Sequence, residues 1–329
     1  MDNKQRQKLL TIFFCLAVVL GAIYGIFQKM LYLTKGESVK FDHPYFVAFL
    51  LSLSNVAVYP IYLIKERMAA NKIGNKDSLE QGIHLQNVNE TLGQTNDEDE
   101  NSPPKKINKL LFAIPAFLDS VENVLKNISL TMISQSIVQM LRSSVMVYCA
   151  LLALIFLKKR LFRHHWTSIV TIVLGVSLVG YSYLTGGTAE SKNIVVGLIV
   201  LQIGQLFGAV AYVAEEKFLG DFDNLDPLIL VVGEGIAGSL MFIVILPILQ
   251  FIPCDSEALC SNGKAADTWQ AFKDFGANPM LIVYAIAMVI ACTFLAASQM
   301  MVVKYGSAAQ KTTADILRPM FIWLFFMTV

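Results

Sequence analysis

Net charge is nearly absent from this chain: 26 Lys and Arg against 25 Asp and Glu leave +1 over 329 residues. The basic residues form neither one face nor a stripe interleaved with aromatics, so the electrostatic footprint of a nucleic-acid binder is missing and no such partner is expected. The five cysteines include no CxxC, and the sequence holds no HExxH, no Ser-His-Asp set and no paired carboxylates at metal spacing. Zinc, redox and hydrolytic chemistry therefore lack their residues; neither an enzyme nor a metal or cofactor is expected. No small-x-small cleavage site follows the basic stretch Met1 to Lys8. The apolar run from Leu9 to about Leu33 exceeds a signal-peptide core and reads as an uncleaved first span.

What is abundant is apolar surface. Hydrophobic residues make up 55% of the chain and mean hydropathy is +0.56, above the roughly 45 to 50% of soluble domains. A helix needs about 20 mostly apolar residues to cross a bilayer core. Such runs lie near 9–31, 44–64, 109–131, 135–157, 165–185, 193–215, 227–250, 279–303 and 308–329, which predicts an all-α integral membrane protein with nine spans in the lipid bilayer. Between the second and third spans, residues 65–108 are rich in Asn, Gln, Asp and Glu and read as a disordered loop. Placing the N-terminus in the cytosol puts most loop Lys and Arg on the cytosolic side, as the positive-inside rule requires. The sequon at Asn89 is then cytosolic and the one at Asn127 lies within a helix, so neither is expected to carry glycan. Cys15, Cys149 and Cys292 fall in apolar runs; Cys254 and Cys260 share a lumenal loop and could pair if it is oxidising.

Two spans resemble each other. Aligned at one constant offset, Gln135 falls on Lys311, Gln139 on Asp315, Leu141 on Leu317 and Arg142 on Arg318, with the polar positions at i, i+4 and i+7 in both. The same offset lays Asn123 over Gln299. Five spans separate the copies, an odd number, so they enter the membrane from opposite sides as an inverted repeat.

Charges within the spans are the candidate functional residues. Asp119, Glu122, Asn123 and Lys126 form one stripe on the third span, where each ionised group costs roughly 2.5 to 3.5 kcal/mol at mid-helix unless it is partnered. Glu122 and Lys126 are spaced to pair within the helix. The bland reading is an ion-pair network holding the bundle together; the functional one is a polar cavity for a charged solute or proton. Arg142 and Arg318 offer fixed forks of donors suited to phosphate or carboxylate. An anionic solute follows, with Asn123, Lys126, Gln139, Arg142, Lys311, Asp315 and Arg318 lining the path and Asp119, Glu122 and Glu234 as proton-coupling candidates. Asp315 could instead neutralise Arg318. The GxGxxG at Gly233 to Gly238 lacks a strand-turn-helix context, Gly21xxxGly25 and Gly204xxxGly208 read as close helix packing, and His164 and His165 beside Trp166 read as boundary anchors.

The segment "SIVQMLRSSVMVYCALLALIFLKKRL" with Trp166, "EEKF" at Glu215 to Phe218, "GEG" at Gly233 to Gly235 and "ADILRP" at Ala314 to Pro319 resemble the drug/metabolite transporter (EamA-like) superfamily and, within it, solute carrier family 35, nearest its subfamily F. The resemblance implies a ten-helix fold of two inverted five-helix halves with a central cavity and alternating access. Here 1–64 would supply helices one and two, 65–108 the cytosolic loop, 109–185 helices three to five and 193–329 the second half. The family's tenth helix is expected to be missing, since the chain stops at Val329 inside the ninth span. The implied function is transport of a small-molecule solute, anionic or nucleotide-linked, in an endomembrane (Golgi, endosomal or lysosomal), with the mitochondrion as the alternative and a homodimer compatible. A proton-coupled exporter and a non-transporting accessory protein are the other readings.

Overall fold

The computed structural model describes residues 3–36, 41, 43–68, 113–158, 162–185, 193–221, 226–252 and 266–328. Cys254, Cys260, the Asn89 sequon and most of 65–108 lie outside the described residues. Apart from one bridge at Lys35, regular structure among them is helical. In hydrocarbon a helix satisfies its own backbone, and these apolar runs take that route. The helices are α1 (Asn3–Leu33), α2 (Pro44–Val56, resuming at 59–68 after a turn), α3 (Ala113–Met132), α4 (Gln135–Leu141), α5 (Ser144–Phe156), α6 (Arg163–Thr185), α7 (Asn193–Asp221), α8 (Pro227–Phe251), α9 (Thr268–Ala277), α10 (Pro279–Tyr305) and α11 (Ala308–Thr328).

Caps set several of the starts. The Asp226 carboxylate accepts from the Leu228 backbone N–H ahead of Pro227, and the Asn278 side chain accepts from Met280 N–H ahead of Pro279. Each pairs an oxygen for the orphan N–H groups with a proline that needs no partner.

Seven helices among the described residues are long and apolar enough to cross a membrane. The two further spans expected from sequence are α3 and α11, of 20 and 21 residues, each carrying three charged side chains in its interior. Two local differences from expectation follow from residues rather than length. The span predicted as continuous over 135–157 is broken at Arg142–Ser143 into α4 and α5. The loop before 279 contains α9, whose Asp267 side chain accepts from Gln270 N–H while Ala271 and Asp274 face inward and Trp269 and Phe272 outward. At 10 residues it is too short to span and lies outside the apolar-run signal.

Polarity is ordered as the bilayer demands. Leu178 and Met327 are 68% and 79% exposed on the outside, whereas Glu122 and Asp315 are each 2% exposed at the centre. The most extensive pairings are α1 on α10, α3 on α7 and α2 on α8, followed by α1 on α11 and α5 on α7. Glycine permits the closest of these. A Cβ at Gly235 would stand 2.5 Å from the Val56 nitrogen, backbone that cannot move aside.

Gly235→Ala should therefore overpack the α2–α8 contact and lower stability by about 1–3 kcal/mol in detergent-solubilised protein. Gly175→Ala, where nothing lies within 4 Å, should be neutral or gain about 0.5–1 kcal/mol in helix propensity. Thermal unfolding of the two variants side by side measures the difference.

Candidate functional site

The helix break at Arg142 and the charged stripes of α3 and α11 meet at one place. Asp315 lies between two arginines: it forms an ion pair with Arg318, one turn along α11, and its Oδ2 is 3.6 Å from Arg142 Nη2. Gln299 of α10 donates from Nε2 to Asp315 Oδ1 at 2.7 Å. Arg142 also faces Glu122 Oε1 at 4.0 Å and reaches the Tyr212 hydroxyl at 3.4 Å. One turn earlier on α11, Lys311 donates to Glu215 Oε2 of α7 at 2.5 Å, with its ammonium 3.9 Å from the centre of the Tyr212 ring.

The GxxxG pairs make room for these side chains. A Cβ at Gly21 would collide with the Arg318 guanidinium, and one at Gly208 with the Glu122 carboxyl. The small residues thus seat charges as well as neighbouring helices.

This geometry corrects the pairing expected within α3. Glu122 has its carboxyl in the Gly208 notch, within 4.0 Å of Arg142 rather than paired with Lys126. Lys126 donates instead to Asn123 Oδ1 at 2.8 Å, and the Asn123 amide donates in turn to Asp119 Oδ2 at 2.9 Å. Among the described residues Lys126 has no carboxylate within 4.0 Å, although it is only 5% exposed.

Beside this cluster is a cavity of about 90 Å³ walled by α1, α2, α3, α7, α8, α10, α11 and Arg142. Asp119, Glu122, Asn123, Lys126, Arg142, Glu234, Lys311 and Arg318 line it. Gln139 and Asp315 are buried but lie behind its wall. Sequence reasoning missed Glu215, Tyr212, Tyr24 and Asn55 as lining residues. Glu215 escaped because 215 was taken as the end of its span, whereas α7 runs on to Asp221 and keeps Glu215 inside the bundle. The lining residues come from the middle turns of α3 and α10, the first half of α8 and α11 and the second half of α7, so the cavity lies within the bundle rather than at its end. Next to Lys126, Asn127, fully buried, accepts from the Tyr32 hydroxyl at 2.9 Å and from Gln28 Nε2 at 3.4 Å. Beyond it His43 Nε2 lies 3.0 Å from Asp274 Oδ2.

Residues 83–262 match the model of the CRT-like, chloroquine-resistance transporter-like, family. The chain belongs to the CRT-like family. This CRT-like chain is 31% identical over 223 residues to an uncharacterized protein of Schizosaccharomyces pombe, covering 67% of each. It is 29% identical over 224 residues to solute carrier family 35 member F6 of Homo sapiens and 28% over 230 residues to that of Rattus norvegicus. These matches span 60% and 62% of the two carriers' own lengths. The drug/metabolite transporter and solute carrier 35 resemblance read from the sequence agrees with both findings, as does a multi-pass integral membrane protein. The CRT-like match takes in Asp119 through Glu234, while Gln299, Lys311, Asp315 and Arg318 lie beyond it.

Removing one partner of a buried ion pair leaves an uncompensated charge, at a cost of about 3–5 kcal/mol. Glu215→Ala should strand Lys311 and lower the unfolding temperature sharply. Glu215→Ala with Lys311→Met should recover most of that loss in the same melting experiment.

Proposed function

We propose that the protein is an alternating-access carrier for a compact solute bearing an anionic group. The observation that carries this reading is the Lys126 ammonium, buried in the wall of a membrane-embedded cavity and, among the described residues, with no carboxylate within 4.0 Å. An unpaired intramembrane charge is costly, so a site that keeps one is poised for a counter-charge from outside. The arginines read from sequence as anion ligands face Asp315 and Glu122; of the cations lining the cavity, Lys126 is the one that, among the described residues, has no carboxylate within 4.0 Å.

Size sets the class. Drug-sized ligands occupy about 300–1,000 Å³, against about 90 Å³ here. A small anion fits this conformation, while a nucleotide-linked metabolite would enter only by one end.

The helix pairings support two inverted halves. Exchanging α1 with α7, α2 with α8, α3 with α10, and α4–α5 with α11 turns the α1–α10 contact into the α7–α3 contact and α1–α11 into α7–α5. The α2–α8 contact maps onto itself, as it must on a two-fold axis. The solute carrier names of the relatives point the same way, and the cavity weighs against a scaffold with no transport role.

In vesicles reconstituted with the full chain, Lys126→Gln should reduce counterflow of labelled small organic anions by about tenfold or more, the change expected for loss of one charge-assisted contact. Counterflow at the unsubstituted rate in that variant would overturn the reading.

A further inference from the structure

Among the acids of the cavity, Glu234 stands apart. Glu122 faces Arg142, Glu215 holds Lys311, and Asp119 accepts from the Asn123 amide. Glu234 lines the same cavity and is 6% exposed; among the described residues it has no ion pair within 4.0 Å and its Oε1 has no hydrogen-bond donor. The nearby cation on α11, Lys311, is committed to Glu215.

Its position is held rigidly. Helix α8 begins at Pro227 under the Asp226 cap, and Gly235, the next residue, packs against the Asn55 and Val56 backbone of α2 too closely for a side chain. The backbone that carries the carboxyl is thereby fixed against α2.

We propose that Glu234 is a specificity-determining hydrogen-bond acceptor in the transport cavity. The solute then carries an N–H or O–H donor in addition to the anionic group that Lys126 receives, as in a hydroxy- or amino-carboxylate. The inference rests on the anion site at Lys126. A buried acceptor facing a ligand without a donor loses its water and gains nothing, so sites of this kind discriminate strongly against the analogue that lacks the donor. The same carboxyl disfavours a second anionic group at that end, which narrows the class to solutes with a single anionic end.

The test is a thermal-shift titration of the purified full chain with straight-chain carboxylates of increasing length and their ω-hydroxy and ω-amino counterparts. For the best-fitting length, the unsubstituted protein should bind the donor-bearing member about tenfold or more tightly than the plain carboxylate. Glu234→Met should erase that preference while retaining affinity for the plain carboxylate, and Glu234→Gln, which keeps an acceptor oxygen, should preserve the preference for the hydroxy compound. Equal binding of both members by the unsubstituted protein, or an undiminished preference in Glu234→Met, overturns the proposal and leaves the Lys126 site standing. If no carboxylate binds the unsubstituted protein, the Lys126 site fails and this inference falls with it.

Discussion

Asp315 sits between Arg142 and Arg318 at the centre of the bundle, and the arrangement around it follows from the cost of that charge. An ionised group taken from water into a low-dielectric interior is affordable only with close counter-charges and filled hydrogen bonds. Asp315 meets the first part with two guanidinium groups and the second only at Oδ1, which accepts from the Gln299 amide, while Oδ2 has no hydrogen-bond donor among the described residues. Meeting it requires α10, α11 and the α4–α5 break to converge, and it requires Gly21 on α1 and Gly208 on α7 to leave room for the side chains of Arg318 and Glu122. The cavity is what remains beside that convergence.

Much of this was legible in the sequence, for reasons that can be stated residue by residue. Apolar runs marked the spans because a bilayer admits few other solutions. The stripe of Asp119, Glu122, Asn123 and Lys126 was visible because side chains four apart share a helix face, and the paired placement of Arg142 and Arg318 was visible because the two segments align without a gap. What could not be read was which group meets which. Glu122 is within reach of both Lys126, one turn along, and Arg142 on another element. The choice is made by Gly208, a residue of a third helix, through the absence of a side chain. Helix α9 was hidden because its signal is a cap and a short amphipathic face rather than apolar length. Glu215 was hidden by an underestimate of how far α7 continues past the apolar run.

The division of charges changes the reading of function. Sequence alone favoured the arginines as ligands, since a guanidinium fork suits carboxylate or phosphate. In the folded chain those arginines face acids of the protein itself, and the cavity also presents Lys126 and Glu234. Family membership in the CRT-like group and the solute carrier relatives place such a cavity in a setting where a solute is to be expected. On the proposed reading, stability and binding fall to different residues of one polar centre, the usual arrangement where a site keeps unpaired groups at some cost to the fold.

That division can be measured directly by comparing the thermal unfolding of Asp315→Asn and Lys126→Gln in the same detergent. Asp315→Asn strands the buried Arg318 guanidinium and leaves Arg142 with Glu122, and is predicted to lower the unfolding temperature by several degrees, the scale of a loss of a few kcal/mol. Lys126→Gln removes a buried charge that, among the described residues, has no carboxylate within 4.0 Å and is predicted to leave the unfolding temperature unchanged or raise it. Equal losses in the two variants would contradict the account, because Lys126 would then be one more member of the structural network and the cavity would hold no free cation.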